Sequence, residues 1–279
     1  MPCVLYFPGC GGSLFYDRIG LAAIMLLLHT GHAVAVPPRH LCCGYPLLAA
    51  GMDTEYEDNM AQNRQYLASM LRNLIKQGFD VRYLATACGS CRDSLARMKL
   101  NEQFPQLEQK DVSQIVLPLL QHESMEAPVA PGTSVLYHAA CHCEWAGVPT
   151  LKGQAQLTGA LEQLCKVKVT TIPGCCGESG MGAVTSPTIY NLLRARKKER
   201  LARAFEPQPQ TGACYAGPIL VGCPSCKIGI ARCLIQLKEK HPVLHVLEWL
   251  ANQVDGEDRR QRFRRRANET RGDVRIVQC

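Results

Sequence analysis

The sequence predicts an α/β protein made of two tandem, homologous domains, each with a short parallel sheet and a cysteine-lined site at the carboxyl ends of its strands. Three observations predict this. Strand-like and helix-like segments alternate along the chain, a pattern that builds parallel sheets covered by helices. A five-cysteine pattern occurs twice in the same order, and residues flanking it recur as well.

The first copy is Cys10, Cys42-Cys43-Gly44 and Cys88-Gly89-Ser90-Cys91, with gaps of 31 and 44 residues. The second is Cys141, Cys175-Cys176-Gly177 and Cys223-Pro224-Ser225-Cys226, with gaps of 33 and 46. VLYF (4–7) precedes the first copy and VLYH (135–138) the second; IVLPLLQ (115–121) follows one and VLHVLEWLA (243–251) the other. HESMEAPVAPGT (122–133) reads as the linker, because proline, glycine and glutamate break regular structure. The expected domains are 1–125 and 132–255, with a basic tail over 256–279.

Each element has a local reason. VLYF is a strand; 13–30 is a helix stopped by Gly31; AVAV (33–36) is a strand ended by Pro37-Pro38. The helix over 54–77 carries Met60, Leu67, Leu71 and Leu74 on one face and stops at Gly78, and VRYLA (81–85) is the third strand. The second half repeats the order: strand 134–138, helix 151–164, strand 167–172, a helix from Ser186-Pro187 to about 204, and strand 219–222. Every motif cysteine then follows a strand end closely. In a parallel sheet those ends share one edge, where ligands of open α/β sheets bind.

Composition narrows the chemistry. The chain has 279 residues, 47% of them hydrophobic, enough for a substantial core. Its sixteen cysteines far exceed ordinary usage. The N-terminal MPCVLYFPGC lacks a basic segment ahead of an apolar run, so no export is expected, and in a reducing cytoplasm abundant cysteine points to metal or redox chemistry rather than disulfides. The longest apolar run, LAAIMLLL (21–28), falls well short of a membrane span, which needs about 20 residues. The net charge of +7 is concentrated partly in Arg259, Arg260, Arg262, Arg264, Arg265 and Arg266. We read that stretch first as solvated and second as a docking element for an acidic partner or the inner face of a membrane. No nucleic-acid recognition motif accompanies it.

A CxxC places two sulfurs one turn apart, which suits chelation of one centre, although zinc, redox and iron–sulfur sites all use it. Adjacent cysteines serve one site only where the backbone turns, and Gly44 and Gly177 allow that. Five thiolates exceed the four of a structural zinc or a cubane cluster, so an unusual cluster arrangement is expected. Cys3, Cys143, Cys165, Cys214, Cys233 and Cys279 fall outside the pattern and are expected to be core or surface thiols. His40, His138 and His142 stand near motif cysteines as hydrogen-bond donors or packed side chains. Glu178 reads as a capping carboxylate, and Arg194, Arg196, Lys197, Lys198 and Arg200 as a solvated basic face.

FPGC (7–10), CCGYP (42–46), CGSC (88–91), YHAACH (137–142), PGCCGESG (173–180) and CPSC (223–226) stand in the order of the cysteine-rich CCG-domain family. The chain resembles that family over nearly all of residues 3–252. Its members include the catalytic, disulfide-reducing component of heterodisulfide reductase and the iron–sulfur subunits of glycolate oxidase, anaerobic glycerol-3-phosphate dehydrogenase and lactate-utilisation complexes. The resemblance implies two Rossmann-like domains and two [4Fe-4S] clusters, of the noncubane kind in the heterodisulfide reductase component. One would be held by Cys10, Cys42, Cys43, Cys88 and Cys91, the other by Cys141, Cys175, Cys176, Cys223 and Cys226. In some relatives one half holds zinc or lacks a cluster, so the resemblance also allows zinc in one half of this chain. LFYDRIG (14–20) and GESGMGAVTSP (177–187) look closest to the iron–sulfur part of FAD-linked 2-hydroxyacid oxidoreductases.

The function implied is that of an oxidoreductase subunit active only with partners. It would be cytoplasmic or peripheral at the inner membrane face, carrying electrons from a lactate- or glycolate-type flavoprotein dehydrogenase to a downstream acceptor. The chain has no GxGxxG after a strand, so FAD is expected on a partner chain. It also lacks ferredoxin-type cysteine runs, so a ferredoxin-type iron–sulfur partner is expected too. The alternative is a heterodisulfide reductase-like catalytic subunit that itself reduces a disulfide at a noncubane [4Fe-4S] cluster.

Overall fold

In the computed structural model, residues 2–120, 129–130, 132–142, 145–178, 182–207, 214–255 and 261 are described. Cys143, Cys279, the Arg-rich stretch and most of the expected linker lie outside them.

Each half contains a four-stranded parallel sheet. The first consists of β1 (Pro2–Tyr6), β2 (Ala33–Ala35), β3 (Asp80–Thr86) and β4 (Glu108–Asp111), in the order β2-β1-β3-β4. The second has β5 (Ser134–His138), β6 (Lys168–Ile172), β7 (Ile219–Val221) and β8 (Val243–His245), in the order β6-β5-β7-β8. The two orders are the same one, so the duplication in the sequence is a duplication of topology. In the first half the connecting helices are α1 (Asp17–His29), α2 (Tyr45–Ala49), α3 (Asp53–Lys76), α4 (Gly89–Arg97) and α5 (Val112–Leu120). In the second they are α6 (Thr150–Cys165), α7 (Gly182–Thr185), α8 (Pro187–Phe205), α9 (Pro224–Leu237) and α10 (Val246–Asp255).

Strand alternation sorts the core into layers. Val4 and Tyr6 of β1 face α1 and α5, and Val135 and Tyr137 of β5 face α6 and α10, within a single apolar cluster. There α1 packs on α10 and α5 on α6, so these four helices form one layer shared by both sheets. Cys3, Leu5 and Phe7 point the other way, toward Leu67 and Leu71 of α3, as Leu136, Ile219 and Val221 do toward α8 and α9.

The expected strands and the four expected helices are present, most with ends shifted by one or two residues. The helix expected over 13–30 is interrupted: Gly11–Phe15 forms a wide turn, and α1 begins at Asp17. Sequence patterning missed the fourth strands because β4 (EQKD) is polar and β8 lasts three residues. Consequently IVLPLLQ falls within and just beyond α5, whereas VLHVLEWLA spans β8 and the start of α10, so the equivalent elements are the helices α5 and α10 rather than the two segments themselves. No helix among the described residues is long and apolar enough to cross a membrane.

Candidate metal centre

Parallel strands deliver the ten motif cysteines to one edge of each sheet. Cys88 caps α4 and Cys223 caps α9 with extended backbone, while Cys91 and Cys226 lie in the first turns of those helices. Gly44 and Gly177 take φ of 79° and 76°, the left-handed turn that aims both sulfurs of each Cys-Cys pair into one site.

Within the first set, Cys10 and Cys43 both reach Cys42, and Cys91 reaches both Cys43 and Cys88. The second set repeats this: Cys141 and Cys176 reach Cys175, and Cys226 reaches Cys176 and Cys223. The sets then touch, because Cys88 Sγ lies 3.6 Å from Cys223 Sγ. Ten sulfurs thus form one unbroken chain across the molecule. Thiol-to-thiol donation governs their acidity. Donation from Cys10 and Cys43 holds Cys42 down to about 2, and donation from Cys141 and Cys176 does the same to Cys175. As a donor to Cys42, Cys43 is pushed up to about 12. Cys88 and Cys91 are raised, whereas Cys223, accepting from Cys226 and Cys88, is lowered.

The halves meet at this edge through reciprocal contacts. A Cβ on Gly11 would stand 2.5 Å from the Pro224 ring, and one on Gly89 would stand 2.3 Å from the carbonyl oxygen of His142. Only glycine permits each half's strand-end loop to reach the CxxC helix of the other. Across the same seam Tyr45 Oη is 2.7 Å from His142 Nε2, and His142 Nδ1 is 3.2 Å from Asp93 Oδ2. His245 Nε2 donates to the Ala87 carbonyl at 3.1 Å, beside Cys88. A cavity of about 260 Å³ lies along the seam, lined by Cys10, Cys43, Cys88, Cys91, Glu178 and Arg232 among others.

The remaining expected residues divide. Cys3, Cys165 and Cys233 are buried in the core and Cys214 is exposed, all outside the sulfur chain. His40 turns to Ser13 Oγ at 3.1 Å. Among the described residues Glu178 is an ion-pair partner, its Oε1 accepting from Arg194 at 2.8 Å and Arg232 at 2.7 Å. The basic face on α8 is only partly solvated. Arg194 turns to Glu178, Arg200 donates to the Pro173 carbonyl, and Lys197 is fully buried.

Lys197 is the residue that sequence reading missed. Its Nζ donates to the Pro173 carbonyl at 2.7 Å and the Ile172 carbonyl at 3.2 Å, and lies 2.8 Å from His138 Nδ1. Burial lowers Lys197 to about 8 and His138 to about 3. The signal was present in its spacing: Lys197, Leu201 and Phe205 recur every fourth residue, the buried stripe of α8. A ring nitrogen of His138 lies within 4.8 Å of the sulfurs of Cys176 and Cys226.

This donor set suits a group bound through sulfur. Thiolates are the ligands of zinc and of iron–sulfur clusters, and five per site exceed what structural zinc takes. His138 Nε2 is buried with no hydrogen-bond partner among the described residues, and an acceptor held by the neighbouring sulfurs would satisfy it.

Residues 4–96 and 135–231 each match the CCG cysteine-rich domain family. The chain belongs to this family. Each matched region holds one five-cysteine set and lies over the first three strands of its sheet, with β4 and β8 beyond it. Among curated relatives, a "Lactate utilization protein A" of Exiguobacterium sp. is 25% identical over 270 residues, covering 90% of this chain and 97% of the relative. A protein of the same name from Macrococcus caseolyticus is 23% identical over 268 residues, covering 90% and 97%. The one from Geobacillus thermodenitrificans is 25% identical over 212 residues, covering 71% and 81%. Among solved structures, a periplasmic sugar-binding protein from Pseudomonas fluorescens aligns with a TM-score of 0.27 at 13% identity, covering 86% of this chain and 65% of that one. At that score the likeness carries no argument about this CCG protein.

Proposed function

We propose that this chain is the iron–sulfur electron-transfer subunit of a lactate- or glycolate-type oxidation complex. It takes electrons from a FAD-linked 2-hydroxyacid dehydrogenase on another chain and passes them to a downstream acceptor. One [4Fe-4S] cluster is held by Cys10, Cys42, Cys43, Cys88 and Cys91, and a second by Cys141, Cys175, Cys176, Cys223 and Cys226. The observation that carries this reading is the unbroken chain of ten sulfurs, joined across the halves at 3.6 Å between Cys88 and Cys223. The relatives' printed name, lactate utilization protein A, supports the substrate class. We take the domain limits as 1–125 and 132–255.

A bound iron–sulfur cluster supplies one-electron transfer at a potential set by its surroundings. The chain supplies the rest. Its thiols give up protons to bind metal. The apolar residues behind Cys43, Cys91, Cys176 and Cys226 keep water from the sulfurs. The short separation of the two sets lets an electron cross between halves without leaving the protein.

A second reading has one observation in its favour. The seam cavity is bordered by four motif cysteines and flanked by Arg232, space enough for a small disulfide to approach the sulfurs. On that reading the chain reduces a disulfide, two electrons and two protons yielding two thiols. Anaerobic purification, iron and sulfide quantification and electron paramagnetic resonance test the common core; protein that stays iron-free after reconstitution sinks both readings. Oxidation of the reduced clusters by a disulfide favours the second, and their reduction by lactate or glycolate plus the flavoprotein favours the first.

A further inference from the structure

The two sites share a backbone but differ beside the Cys-Cys turn. Phe7 occupies in the first half the place that His138 occupies in the second, as VLYF and VLYH align, and both are fully buried. Tyr56 lies against Gly44 and Tyr190 against Gly177. Seven residues beyond each tyrosine stand Asn63 and Lys197, on the buried faces of α3 and α8. Asn63 donates to the Cys42 carbonyl at 2.7 Å, a neutral contact. The neighbouring cation on α3, Arg64, reaches outward to Glu102 at 3.4 Å, and His40 on the approach to Cys42 is exposed. At the second site, by contrast, a cation is sealed in the protein.

The hydrogen bonds of that cation fix the state of its partner. A lysine ammonium has three hydrogens and no acceptor, and here three acceptors surround it: two carbonyls and His138 Nδ1. His138 therefore accepts at Nδ1 and carries its proton on Nε2, the atom left without a partner among the described residues. Its ring lies within 4.8 Å of the Cys176 and Cys226 sulfurs. A donor and a buried positive charge beside sulfur both favour the more negative, reduced state of whatever the sulfurs hold.

We propose that Lys197 and His138 form a relay that makes the C-terminal cysteine site the higher-potential, electron-accepting end of the pair. His138 donates from Nε2 toward the group held by Cys176 and Cys226, and Lys197 is the positioning residue that sets its tautomer. Electrons then run from the N-terminal site, through the contact of Cys88 with Cys223, to the C-terminal one. This rests on the proposal that both sets hold clusters.

The test is a redox titration of the anaerobically purified holoprotein followed by electron paramagnetic resonance, with Cys176→Ala identifying the C-terminal signal. Lys197→Met and His138→Phe, the latter copying the first half, are each expected to shift that signal to lower potential. Iron and sulfide content and the N-terminal signal should stay as in the parent. Variants that keep their iron and show an unmoved C-terminal potential overturn the relay. So does a His138→Phe protein that loses iron where Lys197→Met keeps it, since His138 would then be a ligand. Should Lys197→Met not fold, His138→Phe still decides. A parent protein without iron is a different failure, that of the cluster assignment beneath.

Discussion

The two halves of this chain have the same strand order, the same order of motif cysteines and the same left-handed turn at Cys-Cys-Gly, yet their surroundings have diverged. Around the first set the second layer is apolar or neutral, Phe7 and Asn63; around the second it is His138 and a buried lysine. Duplication preserved what geometry demands, the sulfurs and the glycine, and freed the positions that tune what the sulfurs hold.

That comparison breaks most sharply at the cysteines. Cys43→Ala and Cys176→Ala should each remove one cluster's worth of iron and one resonance signal, a different signal in each variant. Cys233→Ala, two turns along α9 from Cys226 and buried in the core, should keep all the iron and cost about 1 kcal/mol of stability. Equal iron loss from Cys176→Ala and Cys233→Ala would refute the ligand assignment.

A smaller effect is expected at the seam that makes the halves one unit. Gly89→Ala drives a methyl group into the His142 carbonyl, and Gly11→Ala drives one against Pro224. Overpacking of this kind costs about 1–3 kcal/mol, so denaturant midpoints should fall in both variants. Because Gly89 meets backbone and Gly11 meets a proline ring, Gly89→Ala should fall further. Unchanged midpoints would mean the halves pack differently.

The smallest difference separates equivalent strand ends. Asp111 closes β4 and His245 closes β8, and each accepts a backbone N–H from the helix that follows. Burial raises Asp111 to about 7 and lowers His245. For Asp111 the folded state binds its proton more tightly than the unfolded one, so its contribution is full below about pH 4, the ordinary carboxylate value, and is lost as pH rises toward 7. For His245 the sign reverses, and stability is lost as pH falls through the ordinary histidine value of about 6.5. Unfolding curves collected between about pH 4 and 7 should show a shallower loss of stability with rising pH in Asp111→Asn; a slope identical to the parent's would remove Asp111 from the account.

Most of this architecture was legible because duplication doubles every signal. The strands VLYF and VLYH, the helix stop at Gly78 and the turn glycines Gly44 and Gly177 each had a local physical cause that the sequence displays. The fourth strands did not, since a polar edge strand and a three-residue strand carry little hydrophobic period. Lys197 stayed hidden for another reason: within a run of cations, its burial depends on the carbonyls of Ile172 and Pro173, which tertiary packing brings together. Glu178 resembled a cap locally, while its partner Arg232 lies far along the chain.

The layer of α1, α5, α6 and α10 joins the two halves symmetrically. Its contacts are exchanged in kind, α1 with α10 and α5 with α6, as are the glycine approaches at the seam. Such reciprocity is the signature of an isologous dimer. Neither half by itself would cover the apolar side of its sheet helices, so each half serves as the other's packing partner, as the two subunits of such a dimer do.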